Sequence, residues 1–407
     1  MYRTNNYTPT RQKSKVFMTN CALVCEYNPF HSGHKYQLDR IRPSVDNILC
    51  IMSGSFVQAA EPAFCDKALR AECALLGGAD AVIELPAVFA TASAQWFAEG
   101  SARIVAEIAD IKYWAMGAVS DKDAIFRLAE IRSKYKSEFE TLLRERLNDG
   151  RSYAHAAVAA VKTLCSRLYP SADISSALND PNDILCLEYI AATEKFAANV
   201  QPLIVRRRGA AYGDMSLDGE YASATAIRAA VADGKSSAVK RFLPYGYDKI
   251  AEWRSAHSPD VDTFRKAAVF AVKSSSAERL ALLRDCSEGI EYLLKKSDLS
   301  DYDGIIKNAA TRRYGEKRLK RLLLDALLGI ERNDGKKLCT RLLGCKNGFD
   351  FSVLPRSVKT NNRDIKLAAE NDAELARTLA IDERAAALYN TICGVDGGYY
   401  NYSLVKV

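Results

Sequence analysis

Histidine is scarce in this chain, with four in 407 residues. No stretch approaches eighteen consecutive apolar residues, which excludes a membrane-spanning helix. There is no CxxC pair, and the eleven cysteines are odd in number and scattered, most of them in apolar runs such as those around Cys25, Cys50 and Cys186. That pattern argues against a disulfide framework or a zinc module and predicts buried thiols in a reducing cytoplasm. Cys21 and Cys25 are four apart on a predicted strand, at different distances along it, which suits no shared metal. Residues 1–16, MYRTNNYTPTRQKSKV, are basic and polar, without an apolar segment or a small-residue cleavage site. They read as a flexible extension, not a secretory signal. Internal repeats and low-complexity tracts are absent. The formal net charge of +7 is mild; it permits a polyanionic partner without requiring one.

What is present has an ordinary globular composition, 48% hydrophobic and 26% charged. Short apolar runs at Cys21–Glu26, Asn47–Met52, Ala79–Leu85, Ile111–Met116 and Pro202–Val205 read as buried parallel strands. Between them lie helical stretches; Ser93–Ile108 places Phe97, Ala98, Ile104, Val105 and Ile108 on one face. Alternation at this spacing predicts a doubly wound α/β sheet. Near residue 236 the strand-like runs give way to amphipathic helices at Asp262–Val272, Ser276–Leu283, Lys317–Ile330 and Asp382–Ile392. The expected organisation is an α/β catalytic domain over residues 17–236 and a mainly helical domain over 237–407.

Half of the histidines fall in one short motif, His31-Ser32-Gly33-His34, directly after the first predicted strand and an Asn28-Pro29-Phe30 turn. In open α/β sheets, ligands bind beyond the carboxyl ends of the strands. A helix starting there offers free N–H groups and a positive dipole end, which favour phosphate. Gly33 lets the backbone approach a ligand, and two imidazoles can donate to phosphate oxygens. Two surface histidines at a helix start would give the same letters. A metal site is the weaker alternative, because His155 and His257 read as ordinary helix residues; no metal ligand is expected in the protein.

Ser223–Arg228 (SATAIR) reads as a capped helix start, with Ser223 or Thr225 as cap and Arg228 either reaching a triphosphate or facing solvent. Lys67 and Arg70, about one turn apart, either neutralise pyrophosphate or decorate a solvated face. Asp80 and Glu84 flank an apolar run and are expected to satisfy loop backbone groups. Arg206, Arg207 and Arg208 end a strand and suit phosphate or RNA. Residues Ile306–Arg321 carry seven Lys or Arg and one acid, a basic helix face for a phosphate backbone, with Tyr314 placed to stack on a base, or else an ordinary solvated helix. Leu319, Leu322, Leu323 and Leu327 on its other face read as core.

Strand followed by NPFHxGH resembles the HxGH nucleotidylyltransferase superfamily. The wider set of motifs is similar to the bacterial tRNA(Met) cytidine acetate ligase family: Met52–Gln58, Glu61-Pro62-Ala63, Asp66-Lys67, Arg70, Gly78–Asp80, Val82–Pro86, Trp96–Ala98 with Gly100, Pro181–Leu185, Glu188-Tyr189, Arg207–Tyr212, Ser223–Arg228, Arg313-Tyr314 and Arg318–Leu323. The resemblance spans the chain from about residue 20. It implies a Rossmann-like nucleotidylyltransferase domain followed by a helical domain that helps hold tRNA. It also implies an enzyme that uses ATP to activate acetate and acetylates the wobble cytidine of elongator tRNA(Met), with no membrane and no obligate protein partner.

By the same resemblance, ATP is held by Val24, Cys25, Glu26, Tyr27, Asn28, Pro29, Phe30, His31, Ser32, Gly33, His34, Lys35, Tyr36 and Gln37, and by Gly117, Asn182, Arg207, Arg208, Ser223 and Thr225. His31 and His34 take the α-phosphate, and Lys67 and Arg228 are candidates for the outer phosphates. Mg2+ is expected to be held mainly by the phosphates. Arg312, Arg313, Tyr314, Lys317, Arg318, Lys320 and Arg321 are the candidate tRNA contacts. Three positions depart from the family: Gln58-Ala59-Ala60 replaces Gln-Arg-Gly, Asn182-Asp183 replaces Asn-Asn, and Arg208 stands where an apolar residue is common. Two rival readings remain: a nucleotidylyltransferase acting on a small phosphorylated precursor, and a tRNA-binding protein with weakened catalysis. No general base stands out in the sequence.

Overall fold

The computed structural model of the protein describes residues 18–170, 174–208, 214–296 and 301–407. The predicted extension over residues 1–16 lies outside them, as do Gly209–Tyr212 of the RRGAAY motif. Five parallel strands form the centre: β1 (Asn20–Cys25), β2 (Asn47–Ser53), β3 (Ala81–Leu85), β4 (Ile111–Ala118) and β5 (Gln201–Arg206), in the order β5-β4-β1-β2-β3. All five apolar runs predicted as strands are strands. The chain winds one way through β1, β2 and β3 and the other way through β4 and β5, so the topological switch lies between β1 and β4.

Alternate residues along each strand enter opposite cores, as a period of two requires. Ala22, Leu49, Ile51 and Ile83 face the side covered by helices Ala94–Val105 and Pro181–Phe196. Cys21, Leu23, Ile48 and Cys50 face the side covered by helices Ser32–Ile41 and Lys67–Leu76. Trp114 of β4 is fully buried and anchors the first core. All eleven cysteines are free, and all but Cys25 are buried. No helix among the described residues is long and apolar enough to cross a membrane.

The segment after residue 236 is not purely helical. β6 (Thr340–Cys345) inserts antiparallel beside β3, and the two-residue strands β7 (Val358–Lys359) and β8 (Val405–Lys406) pair with β6. One sheet therefore runs across the predicted boundary. The helices of this segment, chiefly Val261–Ser274, Tyr302–Ala309 and Glu316–Leu328, build their own core of Ala268, Ile305, Leu319 and Leu323. They stand over the loop that follows β2: Phe264 lies 5.8 Å from Phe56, and Tyr389 donates to the Ala63 carbonyl at 3.0 Å.

Candidate active site

The chain leaves β1 at Cys25 and enters helix Ser32–Ile41 at His31, its N-cap. The intervening loop is locked. Tyr27 and Phe30 are buried, the Asn28 side chain accepts from the Phe64 N–H at 2.6 Å, and the Asn28–Pro29 bond is cis. His31 Nδ1 accepts from the Gly33 N–H at 3.1 Å, and His34 Nδ1 accepts from the His31 N–H at 3.2 Å. The two rings stack with centroids 3.7 Å apart. A Cβ on residue 33 would lie 3.0 Å from the His31 ring, so Gly33 makes room for the folded-back imidazole.

This reciprocal capping fixes the tautomers. A nitrogen that accepts from a backbone N–H carries no proton, so each neutral ring holds its proton on Nε2. Burial lowers the His31 pKa to about 3, with Arg207 and Arg228 adding to the effect. His34 is lowered in the same way by burial, by His31 and by Arg207. The site thus offers two neutral imidazoles, each with an Nε2–H donor that has no partner among the described residues, beside guanidinium groups.

Both rings line a cleft together with Gly33, Tyr36, Gln37, Val205, Arg206, Arg207, Arg208, Tyr221, Ala222 and Ser223. It sits at the carboxyl end of the sheet, at the switch between β1 and β4, where an open α/β sheet binds ligands. Ser223 caps helix Ala224–Ala232, accepting from the Ala226 N–H at 3.0 Å. One turn on, Arg228 donates to the Asn28 carbonyl at 2.7 Å and so meets the His31 loop; Thr225, exposed, accepts from its other arm at 3.3 Å. Arg208 covers the Tyr36 ring. Gly117, on β4, keeps the approach open: a Cβ there would lie 3.3 Å from the Gln37 amide. Ser32 Oγ is buried with no partner among the described residues, while Lys35 pairs outward with Asp39. Sequence reasoning missed Tyr221 and Ala222, whose only signal was their position before the SATAIR motif.

Asn182 uses its side chain on its own helix, donating to Asp180 at 2.9 Å. Its neighbour Asp183 is fully buried and accepts from the Val119 and Ser120 N–H groups at 2.7 and 3.1 Å, which ties the end of β4 to helix Pro181–Phe196. Among the predicted ATP contacts, Val24 and Cys25 lie in β1, and Tyr27 and Phe30 point into the core, so the last two act through the loop they shape.

The HIGH Nucleotidyl Transferase family model matches residues 18–396. The tRNA(Met) cytidine acetate ligase of Caldanaerobacter subterraneus subsp. tengcongensis is 33% identical, with 77% of this chain and 79% of that protein covered. The enzyme of that name from Clostridium novyi is 33% identical over 92% of this chain and 96% of its own length. The chain belongs to the tRNA(Met) cytidine acetate ligase family of HIGH nucleotidyl transferases. Among solved structures, apo TmcAL of Thermotoga maritima superposes with a TM-score of 0.86 at 25% identity, covering 96% of this chain and 100% of that one. The same protein bound with alpha-thio ATP shares the fold at a TM-score of 0.84 and 24% identity, covering 96% of this chain and 100% of its own.

Several residues that the family motifs single out lie away from the cleft. Lys67, expected on the outer phosphates, is buried and pairs with Glu84 at 2.6 Å, beneath the rings of Tyr399 and Tyr402. The amine is engaged there, buried against Glu84 and the rings of the C-terminal segment, and it is not among the residues that line the cleft. Arg70 is also buried, and spends its guanidinium on the carbonyls of Glu26 (2.8 Å), Ser53 (3.0 Å), Cys65 (3.2 Å) and Gly54. Asp80 does satisfy backbone, accepting from the Ile48 N–H at 2.7 Å, whereas Glu84 turns its side chain to Lys67.

The basic stretch is corrected in part. Tyr314, expected to stack on a base, is buried; its hydroxyl bonds Ser287 at 2.8 Å and Arg318 covers its ring at 4.0 Å. Arg313 pairs with Glu288, Arg321 with Asp285 at 3.0 Å, and Lys320 with Glu61 at 3.4 Å. Arg312 and Lys317 are exposed. Much of the positive charge thus holds the helices together. At the Gln58-Ala59-Ala60 departure, Ala60 is buried with φ 59°, a left-handed conformation that the family's glycine adopts without penalty.

Proposed function

We propose that this protein is an ATP-dependent acetate ligase that forms acetyl-adenylate and passes the acetyl group to the wobble cytidine of elongator tRNA(Met). The observation that carries the reading is the stacked pair His31 and His34, both neutral and both lining a cleft at the switch of the sheet. Family membership narrows that general phosphate chemistry to acetate and tRNA.

In the first step an acetate oxygen attacks the α-phosphorus of ATP, and the bond to pyrophosphate breaks. Negative charge builds on the phosphoryl oxygens, and preorganised donors act most strongly there. His31, His34 and the N-terminus of helix Ser32–Ile41 supply these donors; Arg207, Arg208 and Arg228 supply charge for the rest of the triphosphate. The cleft lining holds no carboxylate, and the described residues contain no group of three His, Cys, Asp or Glu able to hold a metal ion. The phosphates of the nucleotide would themselves hold a Mg2+ ion, which would supply charge to offset the leaving pyrophosphate. In the second step the cytidine amine attacks the mixed anhydride, after the base has left its stack. The exposed cations around the cleft favour a tRNA partner, and eleven free thiols favour the cytoplasm.

Purified protein should place labelled acetate on tRNA(Met) only when ATP is present, with release of pyrophosphate. His34→Ala should lower that rate by about 10²-fold or more, the scale for losing one transition-state donor. Pyrophosphate release that ignores acetate would point instead to a nucleotidylyltransferase with another acceptor. Binding of tRNA without any release would point to a protein that has lost catalysis.

A further inference from the structure

Acetyl transfer needs a proton acceptor. The exocyclic amine of cytidine forms a bond to the acetyl carbon while the bond from that carbon to the AMP oxygen breaks, and the amine must shed a proton. The two histidines cannot take it: the one lone-pair nitrogen of each ring is already accepting a backbone N–H, at 3.1 and 3.2 Å. The Lys67 ammonium is sealed against Glu84. Asp183 is fully buried and spends its carboxylate on the Val119 and Ser120 N–H groups.

Glu26 is not among the residues lining the cleft, but it stands beside them, since Arg228 acts on it and on His31 alike. It is the first residue after β1 and stands five positions before His31, on the same locked loop. Its backbone is pinned by Arg70 at 2.8 Å, and its Oε1 accepts from the Gln58 N–H at 2.7 Å. Its Oε2 has no hydrogen-bond partner among the described residues, and the residue is partly exposed at the carboxyl edge of the sheet. One oxygen is therefore oriented and the other is available, which is the arrangement a general base requires.

Building on the ligase reading above, we infer that Glu26 is the general base of the acetyl-transfer step, taking the proton from the cytidine amine through its unpartnered Oε2 as AMP departs. The groups facing it are Arg228 and Arg70, which favour its ionised form, Glu61, which opposes it, and Tyr189 from helix Pro181–Phe196. Burial outweighs the arginines and raises the Glu26 pKa above the usual carboxylate value, toward the range where a base works best.

The two half-reactions separate this role from binding and from the ligase reading itself. Exchange of labelled pyrophosphate into ATP, with acetate and without tRNA, reports adenylation alone. Glu26→Gln keeps an acceptor for the Gln58 N–H, and should cut acetyl transfer to tRNA(Met) by about 10²-fold or more beyond whatever it takes from exchange. The wild-type transfer rate should fall as pH drops through the Glu26 pKa, and that acid limb should vanish in Glu26→Gln. Glu26→Asp, which retains a carboxylate, should recover part of the transfer. Transfer at the wild-type rate in Glu26→Gln overturns the assignment, and so does an equal fall in exchange and transfer, since either outcome removes Glu26 from the second step. Absence of exchange in the wild-type protein would instead sink the ligase reading, and this inference with it.

Discussion

Asp382 and Glu84 place two carboxyl groups in one buried cluster with Lys67, Arg341 and Tyr399. Burial, reinforced by the Glu84 charge, raises the Asp382 pKa to about 8, while its bond from the Ala87 N–H (2.7 Å) and the cations Lys67 and Arg341 pull the other way. In the unfolded chain this carboxyl titrates near 3.8. Between those values the folded protein keeps a proton that the unfolded chain has released, so stability falls as pH rises through that window and falls no further above it. Asp382→Asn imitates the protonated acid and keeps the acceptor for Ala87. Urea unfolding midpoints at pH 5 and pH 9 should therefore show the variant gaining on wild type at the higher pH; parallel behaviour would refute the raised Asp382 pKa. None of this was visible in the sequence. The HSGH motif is legible because both histidines, the glycine and the helix start lie within four residues. The fate of Lys67 is not, because the groups that seal it arrive from residues 341, 382, 399 and 402.

At the scale of elements, helix Lys67–Leu76 owes its place to Arg70. This guanidinium gathers the carbonyls that end β1 and β2, namely Glu26, Ser53 and Gly54, and so sets the position from which the His31 loop departs. Arg70→Met preserves the length and apolar stem but leaves those buried acceptors unpaired, at about 1–3 kcal/mol each. A destabilisation of about 3–5 kcal/mol should follow in urea unfolding, with adenylation weakened even in the fraction that folds. A cost under about 1 kcal/mol would mean that water replaces the guanidinium. The five parallel strands were legible as short apolar runs, since a strand buried on both faces has little choice of side chain. β6 was not, because its pairing with β3 spans some 260 residues and no local pattern encodes it. The helix Glu316–Leu328 shows the same limit: its charge is plain in the sequence, but the acids that engage it, Asp285 and Glu61, come from elsewhere.

Across the whole molecule, the C-terminal third is built into the catalytic sheet. β6 covers the edge of β3, whose residues Ala81, Val82 and Ile83 have no exposure. Arg284 reaches from the helical region to the Val88 carbonyl and pairs with buried Asp325 at 2.6 Å, and Arg103 donates to the Gly335 carbonyl at 2.6 Å. A fragment of residues 17–236 would lose all of these partners at once. It would present an apolar, unpaired strand edge, which is a template for aggregation, and would leave Lys67 and Glu84 without the rings and the arginine that enclose them. That fragment is therefore expected to be poorly soluble, without a cooperative unfolding transition, whereas the full chain should unfold its sheet as one unit. Circular dichroism melts and amide dispersion of the fragment test this directly. A cooperative melt with native-like dispersion would show that the nucleotide-binding sheet stands alone and that the C-terminal strands are an accessory to it.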